Sequence, residues 1–273
     1  MRHKNILASR YLMRSAAGLA LSFGLSASFA YAQTAIDTET TAPVNTTSAG
    51  DVTIGTGGSI ALTDNAGPAL TVDSDNDVIN NGAISVFGGD ATEFGVDNAT
   101  AVLLQGGNSG NFTQAGSIGI GDNFAPSDTD DDGIPDGPFA QGTGRTGILI
   151  SGASPFQGNV ELQPGSTLVV EGNDSFGINL DNTAMTQGGL TGNLLTAGTV
   201  NLTGDDGAAI RVAGDVGGDV NNSAGILVAG ENSNAIDIAG DVAGGFTNSS
   251  VIQNTGFRTG VSERPDTVAA RDS

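Results

Sequence analysis

The chain has 273 residues, including 43 glycines and no cysteine or tryptophan, and its 30 acidic and nine basic residues give a formal net charge of −21. Its single histidine, His3, and only lysine, Lys4, lie in the first 32 residues. The rest of the chain therefore excludes a Ser-His-Asp or Cys-His catalytic site, a His/Cys zinc site and a basic surface for nucleic acid. The acidity favours a soluble, self-repelling surface, with a specific acidic binding surface as the alternative.

The first 32 residues have the three zones of an export signal. Basic residues precede an uncharged, mostly apolar run from Ala16 to Ala30, and Ala30-Tyr31-Ala32 supplies the small residues that a signal peptidase reads. The apolar run is shorter than the roughly 20 residues of a membrane-spanning helix. We therefore predict cleavage between Ala32 and Gln33, with an N-terminal membrane anchor as the alternative.

Residues 33–50 are rich in Thr, Ala and Ser and show no periodic apolar pattern. This composition predicts a flexible leader, disordered or only loosely docked.

Residues 51–256 contain short apolar pairs, in which two apolar residues are separated by one other residue and bounded by Gly, Asn or Asp. A period of two predicts short strands with one buried face, and no long helix. The pairs form two series. In the first series, the pairs begin at Ile60, Ile84, Ile118, Leu168, Val200, Ile226 and Ile252. In the second series, the pairs begin at Leu70, Val102, Ile148, Ile178, Ile210 and Ile236.

A repeat of about 24–34 residues with two or three short strands cannot bury a face alone, so neighbouring units must stack. We predict an all-β fold, a parallel β-helix solenoid of about six irregular coils, with only Ile, Val, Leu and Ala pointing inward. A β-sandwich or up-and-down barrel is the alternative, although those folds favour longer strands and more aromatic residues. A largely disordered chain is the third interpretation.

A resemblance to a known family rests on these degenerate coils, most clearly GTVNLTGDDGAAIRVAGDVGGDVNNSAGILVAGENSNAIDIAGDVAGGFTNSS. Together with the export signal, they resemble the passenger region of bacterial autotransporters over roughly residues 50–256. The resemblance implies a Gram-negative protein that crosses the periplasm to the outer-membrane surface or the medium. It also implies an outer-membrane translocator barrel as partner. This chain instead ends in a polar tail, 257–273, so we expect a truncated passenger or a separate translocator.

One acidic motif, in a predicted insertion over residues 121–147, fits D-x-D-x-D-G-x-x-D and resembles thrombospondin type 3 loops and half of an EF-hand loop. Its candidate ligands are Asp128, Asp130, Asp132, the backbone carbonyl of Ile134, and Asp136. Oxygen ligands at alternate positions suit one structural Ca²⁺. Phe139 stands where an EF-hand has glutamate, so a solvated loop without metal is the alternative.

We expect a structural or adhesin-like protein without catalytic activity, whose ligand is a surface polysaccharide or a host-surface molecule. The alternative is a glycoside hydrolase that uses paired aspartates, which requires two suitably spaced carboxyl groups. The candidate aspartates are Asp73, Asp75, Asp77, Asp205, Asp206, Asp215 and Asp219. The last coil, near Val251 and Ile252, has no evident cap, which predicts self-association through an open strand edge.

Overall fold

The structure is a computed structural model that describes residues 33–64, 67–87, 96–122, 140–181 and 189–255. The predicted signal through Ala32, the acidic motif and the predicted polar tail lie outside the described residues. The described ranges contain one helical turn, α1 (Thr46–Ala49), and otherwise short strands. No helix in these ranges has the length and apolar character needed to cross a membrane.

The strands are short, with most of them three to five residues long. The first twelve are β1 Gln33–Ile36, β2 Glu39–Thr40, β3 Val44–Asn45, β4 Asp51–Ile54, β5 Ser59–Leu62, β6 Leu70–Val72, β7 Val78–Asn80, β8 Ala83–Phe87, β9 Thr100–Gln105, β10 Phe112–Gln114, β11 Ser117–Gly121 and β12 Thr146–Ser151. The next thirteen are β13 Val160–Leu162, β14 Thr167–Glu171, β15 Phe176–Leu180, β16 Gly189–Leu190, β17 Leu194–Thr196, β18 Thr199–Thr203, β19 Ala208–Val212, β20 Asp215–Val216, β21 Val220–Asn222, β22 Ile226–Ala229, β23 Asn234–Ile238, β24 Phe246–Asn248 and β25 Ile252–Thr255.

Three parallel sheets form the sides of one column. Sheet 1 is β1-β4-β7-β10-β13-β17-β21-β24, sheet 2 is β2-β5-β8-β11-β14-β18-β22-β25, and sheet 3 is β3-β6-β9-β12-β15-β19-β23. Each coil visits sheets 1, 2 and 3 in turn, and each strand pairs with its counterpart one coil away. The predicted parallel β-helix is confirmed, and the alternatives of a sandwich, a barrel or a disordered chain are wrong for the described residues.

The two apolar series of the sequence are the inward rows of two sheets. In sheet 2, Ile60 pairs with Ile84, and the row continues through the series to Ile252. In sheet 3, Leu70 pairs with Val102, and the row ends at Ile236. The predicted register is therefore confirmed for both series. Sheet 1 supplies the third inward row.

Residues 33–50 are a correction to the prediction, because they form the first coil instead of a flexible leader. Strand β1 pairs with β4 over four residues, and β2 and β3 pair with β5 and β6. Ile36 is almost completely buried against the next coil. These residues show no apolar series because, of the three strands, only β1 carries a buried apolar residue, Ile36.

The core corrects the expectation of a purely aliphatic interior. Phe112 and Phe156 are fully buried, so the column has room for aromatic rings. Phe112 lies in sheet 1 between Val78 and Val160 of the adjacent coils. A ring fits there because the neighbours above and below it in the row are smaller valines.

Polar side chains also point inward at the end of several sheet 1 strands. Asn80 Nδ2 donates to Gln114 Oε1 at 2.7 Å, and Asn222 Nδ2 donates to Asn248 Oδ1 at 2.7 Å. Leu162 lies in the same row and interrupts it. Among the described residues, Gln114 Nε2 has no hydrogen-bond partner. Buried amides satisfy one another when neighbouring coils both carry them, and Gln114 faces an apolar neighbour on one side.

The corner between sheets 2 and 3 contains a stack of left-handed residues. Five residues at this corner have φ angles between 49° and 69°: Asn98, Gly144, Asp174, Asp206 and Asn232. Asn, Asp and Gly are the residue types that adopt this conformation at least cost. The frequent Gly, Asn and Asp residues between apolar pairs in the sequence are thus explained, at this corner, by backbone geometry.

Candidate functional site

The described ends of the predicted acidic insertion lie at the corner between sheets 2 and 3. Strand β11 ends at Gly121 and β12 begins at Thr146, so the predicted bounds 121–147 overlap the strands by one and two residues. The predicted ligands Asp128, Asp130, Asp132, Ile134 and Asp136 lie outside the described residues. Within the described ranges, no group of three or more His, Cys, Asp or Glu residues is placed to hold a metal ion. Calcium binding at the motif stays a prediction.

A buried ion pair lies at the base of this insertion. The side chains of Arg145 and Asp122 are 0% and 1% exposed, and Arg145 Nη2 lies 2.9 Å from Asp122 Oδ2. Arg145 also donates from Nε to the Val96 carbonyl at 3.1 Å and from Nη1 to the Glu171 carbonyl at 2.6 Å. One guanidinium therefore links Val96, ahead of β9, with Asp122 at the start of the acidic insertion and Glu171 at the end of β14.

Space for the guanidinium comes from small neighbours. A Cβ atom at Gly142 would lie 2.0 Å from Arg145 Nη2, so this glycine cannot carry a side chain without displacing the arginine. The residue after the left-handed position is small in the other described coils: Ala99, Ser175, Gly207 and Ser233. Sequence reasoning did not predict this ion pair. Arg145 is unusual only in comparison with the small residues at equivalent positions of other coils, and those positions can be aligned only once the register is known.

The acids in the turns act mainly as inter-coil hydrogen-bond acceptors. Six residues stand directly before or at the start of sheet 1 strands, and we call them the outer ladder: Asp51, Asp77, Asn111, Asn159, Asn193 and Asp219. The Oδ1 atom of each accepts a backbone N–H from the next coil, at 2.7–3.2 Å. The last member, Asp219, accepts from the backbone N–H of Gly245, which has no side chain to extend the ladder.

The other candidate catalytic aspartates have the same role. Asp205 Oδ1 accepts from Glu231 N at 2.6 Å, and Asp215 Oδ1 accepts from Asp241 N at 3.0 Å. Asp75 Oδ1 accepts from the backbone N–H of Ser109 at 2.8 Å. A further two acceptors are Asp73, bonded to Thr47 N, and Asp206, bonded to Asn232 Nδ2.

The electrostatics of two of these carboxylates oppose a role as catalytic acid. Burial raises the pKa of Asp73, but hydrogen bonds from Thr47 and Thr46 outweigh it and lower the pKa below the ordinary value. The backbone N–H of Ser109 lowers the pKa of Asp75. A general acid for glycoside cleavage needs a raised pKa, so both shifts run in the wrong direction.

A shallow concavity of about 410 Å³ lies on the outer face of sheet 1, beside the outer ladder. Its lining includes two carboxylates, Asp77 and Glu161. Asp77 is already bonded to Asn111 N, and the one aromatic residue of the lining, Phe112, points into the core. The lining residues therefore provide neither a pair of uncommitted carboxylates nor an exposed ring for stacking on sugar.

The C-terminal end of the described column exposes apolar side chains. Phe246 is 48% exposed, Val251 74% and Ile252 39%. In the coils before it, the residues in the registers of Phe246 and Ile252, such as Val220 and Ile226, are buried. The last described strands therefore present core positions that no coil covers among the described residues.

At the opposite end, the structure places only one of the two cleavage-site residues. Gln33 is the first residue of β1, and Ala32 lies outside the described residues.

Comparison of the chain with protein-family models, with curated proteins and with solved structures gives no match.

Proposed function

We propose that the chain is a secreted or cell-surface β-helical segment with a structural, adhesin-like role and no catalytic activity. The observation that carries this proposal is the use of the turn carboxylates. The aspartates that could form catalytic pairs accept hydrogen bonds from the neighbouring coil instead. Over the described residues, such a column presents long outer faces on which these carboxylates are bonded to the neighbouring coil.

The proposed export route is based on the sequence. Cleavage between Ala32 and Gln33 releases a chain that crosses the periplasm, and the resemblance to autotransporter passengers implies an outer-membrane translocator barrel as partner. The ligand class that fits the role is a surface polysaccharide or a host-surface molecule.

Incubation of the purified chain with neutral and acidic polysaccharides is expected to release no reducing ends above the level of a buffer control. The reason is that Glu161 is the one carboxylate in the sheet 1 concavity outside the ladder, and glycoside cleavage needs two. A Glu161→Gln variant is the matched control. Steady product release by the wild type that Glu161→Gln abolishes would favour the glycoside hydrolase over the structural role.

We also propose one structural Ca²⁺ at the acidic insertion. Saturating Ca²⁺ is expected to raise the unfolding temperature of the wild type, because a ligand that binds only the folded chain stabilises it. Asp130→Ala is expected to abolish this rise. Asp241→Asn, which removes one exposed charge far from the motif in sequence, is the control and should retain it. Equal responses of Asp130→Ala and wild type would show that no site exists at the motif.

Self-association through the exposed last coil is the third component of the proposal. Light scattering is expected to show a molar mass that rises with concentration, since no described residue covers the apolar side chains and strand edges there. Val251→Asp is expected to keep the chain monomeric. Ile79→Asp, at a 41% exposed position on the outer face of sheet 1, should not. A wild type that remains monomeric at high concentration would contradict this component.

A further inference from the structure

The first residue of the column carries a side chain that the ladder does not use. Gln33 begins β1, is exposed, and pairs with Asp51 of β4. It therefore stands in the register of the outer ladder, one coil before its first member. The ladder members are aspartates and asparagines whose Oδ1 atoms hold the next coil, whereas glutamine is longer by one methylene.

The contacts of Gln33 leave its carboxamide available. Asp51, its partner across the strands, uses Oδ1 to accept Asp77 N at 3.0 Å, in the direction away from Gln33. The hydrogen bonds among the described residues include none made by the Gln33 side chain. The carboxamide is thus an exposed electrophile close to the α-nitrogen of the same residue.

We propose that Gln33 cyclises to pyroglutamate after export. This inference rests on the cleavage between Ala32 and Gln33 in the proposed function. In the step, the α-nitrogen of Gln33 attacks its own Cδ, a five-membered lactam forms and the Cδ–Nε2 bond breaks. Nε2 leaves as ammonia with the proton that the α-nitrogen loses, so the reaction needs no oxidant, reductant or second reactant.

The fold is compatible with this step because the strand begins at Gln33 itself and the side chain of Gln33 is exposed. The α-amino group of a peptide has an ordinary pKa slightly above neutral, so part of it is uncharged and nucleophilic at neutral pH. The ring uses only atoms of Gln33, and Thr34 to Ile36 keep their pairing with Val52 to Ile54. Cyclisation removes the terminal positive charge and the free amine, so an aminopeptidase has no substrate at this end of the column.

The test is to express the full chain in a Gram-negative host, purify the exported product and measure its intact mass and N-terminal sequence. The expected mass is that of residues 33–273 less one ammonia, with no sequence signal from Edman degradation. Treatment with a pyroglutamyl aminopeptidase is expected to restore the signal, starting at Thr34. In Gln33→Asn the corresponding ring would be strained and four-membered, so that variant should stay unblocked and show no mass loss.

The possible results separate the inference from the cleavage on which it rests. A chain that starts at Gln33 and keeps a free amine after prolonged incubation at neutral pH overturns cyclisation and leaves the cleavage site intact. A chain that starts at any other residue overturns the cleavage site, and the inference with it.

Discussion

Replacement of Arg145 by methionine is expected to destabilise the chain by about 3–5 kcal/mol, the cost of leaving a buried charge without its partner. Methionine retains much of the aliphatic volume of arginine, so the loss of stability measures the contribution of the guanidinium contacts. Asp122 would keep a buried carboxylate 2.9 Å from an empty position, and the carbonyls of Val96 and Glu171 would lose their donor. Denaturation by urea, followed by circular dichroism, measures the change in unfolding free energy.

The matched control for Arg145 is Arg211→Met. Arg211 lies 3.9 Å from Asp237 and 5.2 Å from the centre of the Phe176 ring, and its side chain is 33% exposed. A pair of this kind contributes about 0–1 kcal/mol, so Arg211→Met should shift the midpoint little. Adding Asp122→Asn to Arg145→Met is expected to recover part of the lost stability, because the uncompensated charge is then removed. Equal effects of the two arginine substitutions would contradict the assignment of a structural clamp.

Truncation of Phe112 to alanine is expected to cost about 3–5 kcal/mol, the usual range for a buried aromatic residue. The ring is fully buried in sheet 1, and the flanking valines, Val78 and Val160, cannot fill the space that it leaves. The change also removes a contact that three consecutive coils share. The urea midpoint measures the loss, and an unchanged slope shows that the unfolded state is comparable.

Phe87→Ala is the control with the same chemical change at an exposed position. Phe87 is 44% exposed on sheet 2, where its ring lies over Gly119 and Gly121 of the next coil. The expected loss is under about 1.5 kcal/mol, since 44% of Phe87 stays exposed to water and its loss leaves no internal cavity. A Phe87→Ala effect as large as that of Phe112→Ala would show that the outer faces contribute more to stability than their exposure indicates.

The register of the column could be predicted from the sequence because one simple physical rule governs it. Parallel strands stacked without offset place equivalent inward residues over one another, so Ile60, Ile84 and Ile118 recur as a series and pair in that order. The rule holds only where each coil has a clear apolar pair. The first coil lacks one, and its strands were for that reason missed.

The residues that sequence reasoning missed are those whose role depends on the neighbouring coil. Asn80 and Gln114 have the polar side chains typical of surface residues, but in the structure they bond to each other inside sheet 1. Arg145 has the charge typical of an exposed residue, but the register places it beside Asp122 in the interior. Spacing along the chain identifies apolar rows, but it does not reveal which polar groups meet across a distance of one coil.

The turn aspartates show the opposite limitation. The sequence identifies them as carboxylates, but it does not show the hydrogen bonds that they accept. Carboxylates such as Asp75 and Asp77 are the residue type that glycoside hydrolysis needs, and only the structure shows the N–H groups from which they accept hydrogen bonds. Their hydrogen-bonded state explains why so acidic a chain retains tight turns.

The direction of the bonds in the outer ladder has a mechanical consequence. Strand pairing and ladder bonds all run along the column axis, and successive coils near the C-terminal end repeat every 26 residues. Tension along the axis would therefore peel coils from one end in sequence, each releasing about 90 Å of extended chain. A load that pulls across the column, in the plane of the coils, meets the covalent backbone of many coils at once, so a column of this kind is weak when stretched lengthwise and strong when pulled sideways.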